Sequence, residues 1–404
     1  MSWLPYQVDL ERRNFDFSGA NLLTRWKHVY SEDSDMILQI YYDHTYRKAE
    51  IFRDKRDTFD LDFQHRFRLG SRQDIVWGLG YRFTSDGFVG FKGLQLNPSN
   101  RGLNLYSAFF QDEVTIINDL LRLTLGSKFV CNEYTGLEIQ PTAKILLTPS
   151  KRHTLWGAVS RAVKIPGRLD RDIDHTVTTF PLGPFNTGIL KVLGSTDSVS
   201  EEMISYELGY RIQPMDHFSI DVAGFYNVYD NLQSNEVRDP FSISPTETVF
   251  PIVDDNEIHG KTYGFEIAAN WNVTDYWKLK TGYTFLRIDL SHDGARTAFE
   301  NEDDVREGLS PNNQAHILSY LDMPYNLELD TSLYYVDHLA TDNISSYLRL
   351  DMRLGWKPTK SLDMCIGMKN MLDGEHLEFS GTTSDRIQST EVERSVYGKI
   401  TWEF

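Results

Sequence analysis

The 404-residue chain contains no uninterrupted apolar run approaching 18 residues, which excludes a helical membrane span. Positive charge is in short supply. Lys and Arg number 41 against 58 Asp and Glu, a formal net charge of -17. Nucleic-acid binding needs a basic surface to meet the phosphates, so that partner class is excluded. Cysteine is almost absent: Cys131 and Cys365 lie far apart, without metal-type spacing, and a disulfide between them stays open. His44, His175, His316 and His338 are dispersed and supply no metal-ligand spacing either. The segment Met1–Gln7 has neither the basic nor the apolar region of a secretory signal. Gly-x-Ser-x-Gly, His-Glu-x-x-His and Walker-type loops are all missing. The chain is therefore not read as an enzyme, and no catalytic residue, metal ligand or cofactor is assigned.

What is present is alternation. Aromatic residues make up 13% of the chain, yet the mean hydropathy is -0.42. The two agree if apolar residues are spread over short strands whose other face is polar. Met36, Leu38, Ile40 and Tyr42 alternate with Ile37, Gln39, Tyr41 and Asp43, and Phe59, Leu61 and Phe63 with Asp60, Asp62 and Gln64. The pattern recurs at Tyr206–Ile212, Phe218–Tyr226, Tyr263–Trp271, Trp277–Phe285, Leu348–Trp356 and Leu362–Met368. Alternate positions such as Arg349, Asp351, Arg353, Asp363 and Lys369 are charged. A dry sandwich core would not hold so many charges, whereas a water-filled lumen tolerates them. The fold class expected is all-β, a transmembrane antiparallel β-barrel.

Short turns fall at Ser31–Asp35, Gly70–Asp74, Ile117–Asp119, Thr148–Arg152, Gln213–His217, Asn272–Tyr276, Met323–Asn326 and Pro358–Lys360. Longer connections are expected at 85–101, 162–200, 231–256, 291–312 and 372–392, with short ones near 48–56, 131–136 and 339–344. Short turns on one rim and long loops on the other are the outer-membrane pattern, the long side being extracellular. Trp26, Trp77, Trp156, Trp271, Trp277, Trp356 and Trp402 sit near strand ends, where an interfacial aromatic girdle is expected. The segment Val396–Phe404 alternates strictly into a terminal aromatic. Trp402 and Phe404 are assigned as the signal read by the barrel assembly machinery. About 17 strands are counted, the first and last running towards the short-turn rim. Single-chain bacterial barrels have an even number, so strands are expected to be missing at the N-terminus. Residues 1–404 are read as one incomplete barrel domain, with 1–16 in an extracellular loop.

Several segments resemble one family. Ser160–Arg168 (SRAVKIPGR) is similar to the "SRA-x-R-x-P" stretch of TonB-dependent receptors, with Lys164 where Arg is usual. Glu201–Arg211 resembles the "E-x-x-x-x-YELGYR" strand, and Phe225–Asp230 the "FYNxYDN" segment that follows it. Ser310–Gln314 resembles "SPxHQ" with Asn313 in place of His, Lys369–Asp373 "xNLLD", and Val396–Phe404 the closing "VYGKxxWxF". The resemblance implies a 22-stranded barrel, about 17 strands of it present here, with a plug domain and a TonB-contacting segment that have no counterpart in this sequence. It also implies TonB-energised uptake of a scarce nutrient across the bacterial outer membrane, foremost a ferric siderophore or other iron complex. The partners implied are outer-membrane lipid, the TonB complex acting through the plug, and the iron ligand. A passive porin-like channel and a structural or adhesive barrel are the alternatives.

Ligand contacts are expected from inward residues near the outer rim and from the long loops. Arg161, Lys164, Arg168 and Arg171 form a basic cluster suited to the carboxylate or hydroxamate oxygens of an anionic chelate. The competing reading pairs Arg161 and Lys164 with lumen carboxylates, and Arg168 and Arg171 with Asp170, Asp172 and Asp174. Phe225 and Tyr229 point inward by parity and could stack on a flat ligand, or simply pack the lumen. Asp254, Asp255 and Glu257, like Glu300, Glu302, Asp303 and Asp304, lack the spacing of a calcium loop and read as solvated charge.

Overall fold

The alternating segments all become strands in the computed structural model, which describes residues 15–49, 51–292, 306–341, 343–379 and 389–403. An antiparallel meander starts with β1 (Asp16–Ser31), β2 (Ser34–Lys48), β3 (Phe52–Leu69) and β4 (Gln73–Gly90). The short β5 (Leu94–Leu96) interrupts it before β6 (Asn100–Ile117), β7 (Leu121–Asn132), β8 (Gly136–Ser150) and β9 (His153–Lys164). A helix, α1 (Arg168–Asp172), and a hairpin, β10 (Ile173–Pro181) with β11 (Thr187–Leu193), come next. The meander resumes through β12 (Glu201–Met215) and β13 (Phe218–Val237). After the short β14 (Phe241–Ser244) come β15 (Glu247–Thr274), β16 (Trp277–His292) and β17 (Asn313–Met323). Then follow β18 (Leu327–Val336), β19 (Tyr347–Thr359) and β20 (Leu362–Lys369). A separate ribbon pairs β21 (Glu375–Leu377) with β22 (Glu391–Glu393), and β23 (Ser395–Trp402) returns to β20. Of the 23 strands among the described residues, six (β5, β10, β11, β14, β21 and β22) lie in connections, so 17 make the wall, against about 17 expected from the sequence.

Register carries the apolar rows from strand to strand. Tyr42 faces Phe59 and Phe59 faces Phe83; further round, Tyr206 faces Tyr226 and Tyr226 faces Tyr263. Leu329, Leu354 and Ile366 form another such row. These side chains stand exposed on one face of the wall, Leu208 at 68% and Ile400 at 72%. The opposite face carries the charges. Arg353 Nη1 reaches Asp330 at 2.8 Å and Glu328 at 3.1 Å, and Arg349 Nη2 reaches Asp351 at 2.7 Å. Every buried backbone group must find a partner in a bilayer, and the ladder supplies it. The exposed apolar rows are then stabilised by lipid instead of by a core.

All eight expected short turns are present on one rim. Six of the seven tryptophans project from the apolar face near that rim. Trp156 departs from the expectation: it is in register with Gly209 on the polar face, and its indole covers the space a Cβ there would fill. Parity outranks proximity to a turn, because one residue along a strand reverses the face. On the other rim, the expected 231–256 loop is mostly strand. β13 runs 20 residues and β15 28, where about 10 suffice to cross a bilayer. The surplus builds a layer above the wall, in which β11 lies parallel to the outer half of β15 and β10 pairs with β5. The buried apolar cluster Phe88, Leu94 and Leu96, with Phe52 and Ile173 against it, belongs to this layer. Cys131 and Cys365 are free thiols on opposite faces of the wall. Phe404, residues 1–14 and the acidic stretch Glu300–Asp304 lie outside the described residues; Asp16 opens β1, and Trp402 ends β23 opposite Leu362.

Candidate ligand-facing layer

The chain leaves β9 through Pro166-Gly167 and turns at once into α1. The Gly167 N–H donates to Asp170 Oδ2 at 2.6 Å, which fastens the start of the helix. Positions i and i+4 then bring Arg168 and Asp172 to one side, both buried. Arg168 Nε lies 2.8 Å from Asp172 Oδ2, in an ion pair too poorly aligned for a hydrogen bond. Its Nη1 donates to Asp86 Oδ1 at 2.6 Å and its Nη2 to the Pro98 carbonyl at 2.5 Å. Arg101 Nη1 reaches both oxygens of Asp172 at 3.0 Å. Burial pushes the Asp172 carboxyl up, against the pull of Arg101 and Arg168. The Arg168 guanidinium is committed to tying the loop after β9 onto β4 and the segment before β6.

Arg171 makes no pair with Asp170, Asp172 or Asp174. It donates to the carbonyls of Ser198, at 3.0 Å, and Thr196, and stacks 4.9 Å from the centre of the Tyr134 ring. Arg101 lies 5.5 Å from the same ring, while Asp174 is held by Lys191 at 2.7 Å. Arg161 differs from the inward placement expected of it. It shares the apolar-face row of Val159 and Ile204, at the height where β8 and β9 cease to pair. There its guanidinium bonds the Ile139 carbonyl at 2.5 Å and Glu202 at 2.7 Å, with Glu138 at 3.5 Å. The side chain stitches a splay in the wall.

Lys164 is on the polar face, and 65% of its side chain is exposed; its Nζ lies 2.9 Å from Glu201. Beside it a cavity of about 10 Å³, the size of one water molecule, is bordered by Asp170, Glu201, Gln233 and Asp254. The Gln233 amide donates to Asp254 Oδ2 at 2.9 Å and to Asp170 Oδ1 at 3.3 Å. Asp254 is only 5% exposed, and its Oδ1 has no hydrogen-bond partner. Burial raises its carboxyl to about 6; the Gln233 bond opposes this and the neighbouring Asp170 and Asp255 charges reinforce it. Among the described residues no group of His, Cys, Asp and Glu is placed to hold a metal ion.

Phe225 and Tyr229 do lie on the polar face. Phe225 packs over Gly264, and the Tyr229 hydroxyl is 3.5 Å from Thr262 Oγ1. In register, Tyr229 lies opposite Met203 and Ala162, two strands across from the Lys164 end of β9; Phe225 is four residues deeper. The layer thus brings Lys164 and Tyr229 to one side of the mouth and removes Arg168 into its scaffold. Asp86, Arg101 and Tyr134 were missed by sequence reasoning. Asp86 is 82 residues from Arg168, and nothing local marks them as partners.

A 17-strand antiparallel wall with an apolar exterior, a charged interior and one elaborated rim defines an outer-membrane β-barrel. The family described as TonB dependent receptor-like, beta-barrel matches residues 3–371, so the chain belongs to that family of outer-membrane transport receptors. The probable TonB-dependent siderophore receptor PiuA of Acinetobacter baumannii is 25% identical over 186 residues, 43% of this chain and 23% of that protein. The solved siderophore receptor PirA from Acinetobacter baumannii superposes with a TM-score of 0.75 at 14% identity, over 96% of this chain and 63% of that one. The FrpB iron transporter from Neisseria meningitidis gives 0.72 at 13%, over 96% and 63%. The chain spans less than two thirds of the length of these relatives.

Proposed function

We propose that the chain is the barrel part of a receptor for TonB-energised uptake of an anionic iron complex, foremost a ferric siderophore, through the outer membrane. The observation that carries this reading is family membership joined to a wall whose polar interior opens beneath a built loop layer. The relatives whose names specify cargo are siderophore receptors and an iron transporter. The wall strands β1 and β23 run in the same direction, so an antiparallel barrel would need an odd number of further strands between them. Five would make the 22 of the family resemblance. The plug and TonB would act from the rest of such a receptor, and the assembly machinery would read the β23 end with Trp402.

Ligand contact is assigned to Lys164 and Tyr229, with Phe225 lining the passage below. Arg168 and Arg161 act by holding the loop and the wall in place. The test is uptake of radioactive ferric chelates by cells expressing the complete receptor, with and without TonB. Uptake that needs TonB and saturates is the expected result. Large open channels in planar bilayers, or uptake indifferent to TonB, would sink the reading in favour of a passive pore.

A further inference from the structure

The lipid-facing surface of β2 and β3 carries cations that the described residues leave only weakly countered. Lys48, Arg53 and Lys55 share the apolar-face rows of Tyr42 and Phe59 by parity, towards the long-loop rim. Lys48 is directly opposite Arg53, and Lys55 follows two residues on. Like charges directly opposed across a ladder are destabilising, and among the described residues only Asp16 near Lys48 and Asp57 near Lys55 act against them. Arg53 and Lys55 have no ion pair among the described residues. Lys48 has only Asp16, at 3.8 Å. The nearby Asp57 acts on Lys55 through space, but its direct contacts are the Tyr42 hydroxyl and His44 Nδ1, each at 2.7 Å.

Height matters as much as charge. A tilted strand climbs roughly 2.5 Å along the membrane normal per residue, so an apolar band about 25 Å tall takes about ten residues. Ten residues above the Trp77 row, which crosses β3 at His65, comes Lys55, and two further comes Arg53. The same count from Trp277 reaches Arg287. There, however, Arg287 is paired with Asp289 at 3.2 Å, and Lys261 is opposite Asp289 in register. The wall therefore neutralises its interfacial cations on β15–β16 and leaves them only weakly countered on β2–β3.

We infer that Lys48, Arg53 and Lys55 form a site for the phosphorylated headgroup of an outer-leaflet glycolipid. The phosphate would sit between opposed cations at the height where headgroups begin, supplying the counter-charge that Arg53 lacks while the acyl chains lie along Tyr42, Phe59 and Leu61.

Native mass spectrometry of the intact protein extracted from outer membranes tests this, with bisphosphorylated lipid A and its dephosphorylated form as probes. The wild type should retain the bisphosphorylated lipid at least tenfold better than K48Q/R53Q/K55Q. Dephosphorylation should bring it down to the variant's level, and K48R/R53K/K55R should restore retention. Heat-modifiable electrophoretic mobility verifies that each variant is folded, and the two lipid forms on wild type decide the matter if the triple Gln variant is not. Equal retention by wild type and the folded triple Gln variant, or of both lipid forms by the wild type, overturns the inference. Displacement by millimolar inorganic phosphate also overturns it, in favour of a soluble-anion site.

Discussion

The wall and the layer above it are made of the same kind of strand but held by opposite arrangements. In the wall, apolar side chains are exposed and charges face a polar interior, so backbone ladders and surrounding lipid carry the stability. In the layer, apolar residues such as Leu94 and Leu96 are buried, and so are charges such as Arg168 and Asp172. A wall residue is thus replaceable within its polarity class, whereas a layer residue depends on one named partner.

The largest break in that contrast is Arg168→Ala, which strands Asp86 in a buried setting and leaves Asp172 to Arg101 alone. Removing one partner of a buried pair costs about 3–5 kcal/mol. The loss should appear as faster hydrogen exchange in β5, α1 and β10, with exchange in β19 and β20 unaltered. Leu208→Arg makes the converse injury. A cation near the bilayer midplane costs about 2–4 kcal/mol, read as a lower denaturation midpoint in lipid vesicles. The same protein should show unchanged exchange in the layer; loss in both regions would erase the distinction.

Asp254 sharpens the comparison through pH. Its native carboxyl titrates near 6, above the ordinary value of 3.8. The protonated form is therefore the one the native layer favours. Its contribution is complete below about pH 4 and is lost as pH rises through 6, amounting to about 3 kcal/mol. Protease resistance of the layer should fall over that interval in the wild type, and Asp254→Asn should flatten the profile. A variant that keeps the wild-type profile would exclude Asp254 as the cause. The smallest stability effect is expected at Lys164, whose exposed pair with Glu201 is worth less than about 1 kcal/mol. Lys164→Gln should leave the denaturation midpoint in place while weakening binding of an anionic ferric chelate, measured by tryptophan fluorescence quenching.

Legibility in the sequence follows the same division. Alternation at Tyr206–Ile212 or Leu348–Trp356 announced both the strand and its face, because period two is a local property of the backbone. The short turns were equally readable. The layer was not: β11 meets β15 in parallel across some 60 residues, and the outer half of β15 looked like loop because its neighbours there are not lipid. Trp156 and Arg161 lie on the faces opposite to those that an aromatic girdle and a lumen cluster imply, for a related reason. Proximity to a turn and membership of a basic cluster are weaker guides than parity. The basic stretch 161–171 signalled a site by composition, yet its guanidiniums are spent on Asp86, Glu202 and backbone carbonyls, leaving Lys164 as the exposed cation of the group.

Sequence by itself determined the wall of this protein: 17 strands, their alternating faces, the short-turn rim and the family to which they belong. Each follows from periodicity along the chain, which a lipid–water boundary converts directly into a surface. Only the tertiary structure decided which charges are available. Whether Arg168 or Lys164 is buried or half-engaged depends on residues brought alongside from far away in the chain, and pairing across such distances leaves no local period to read.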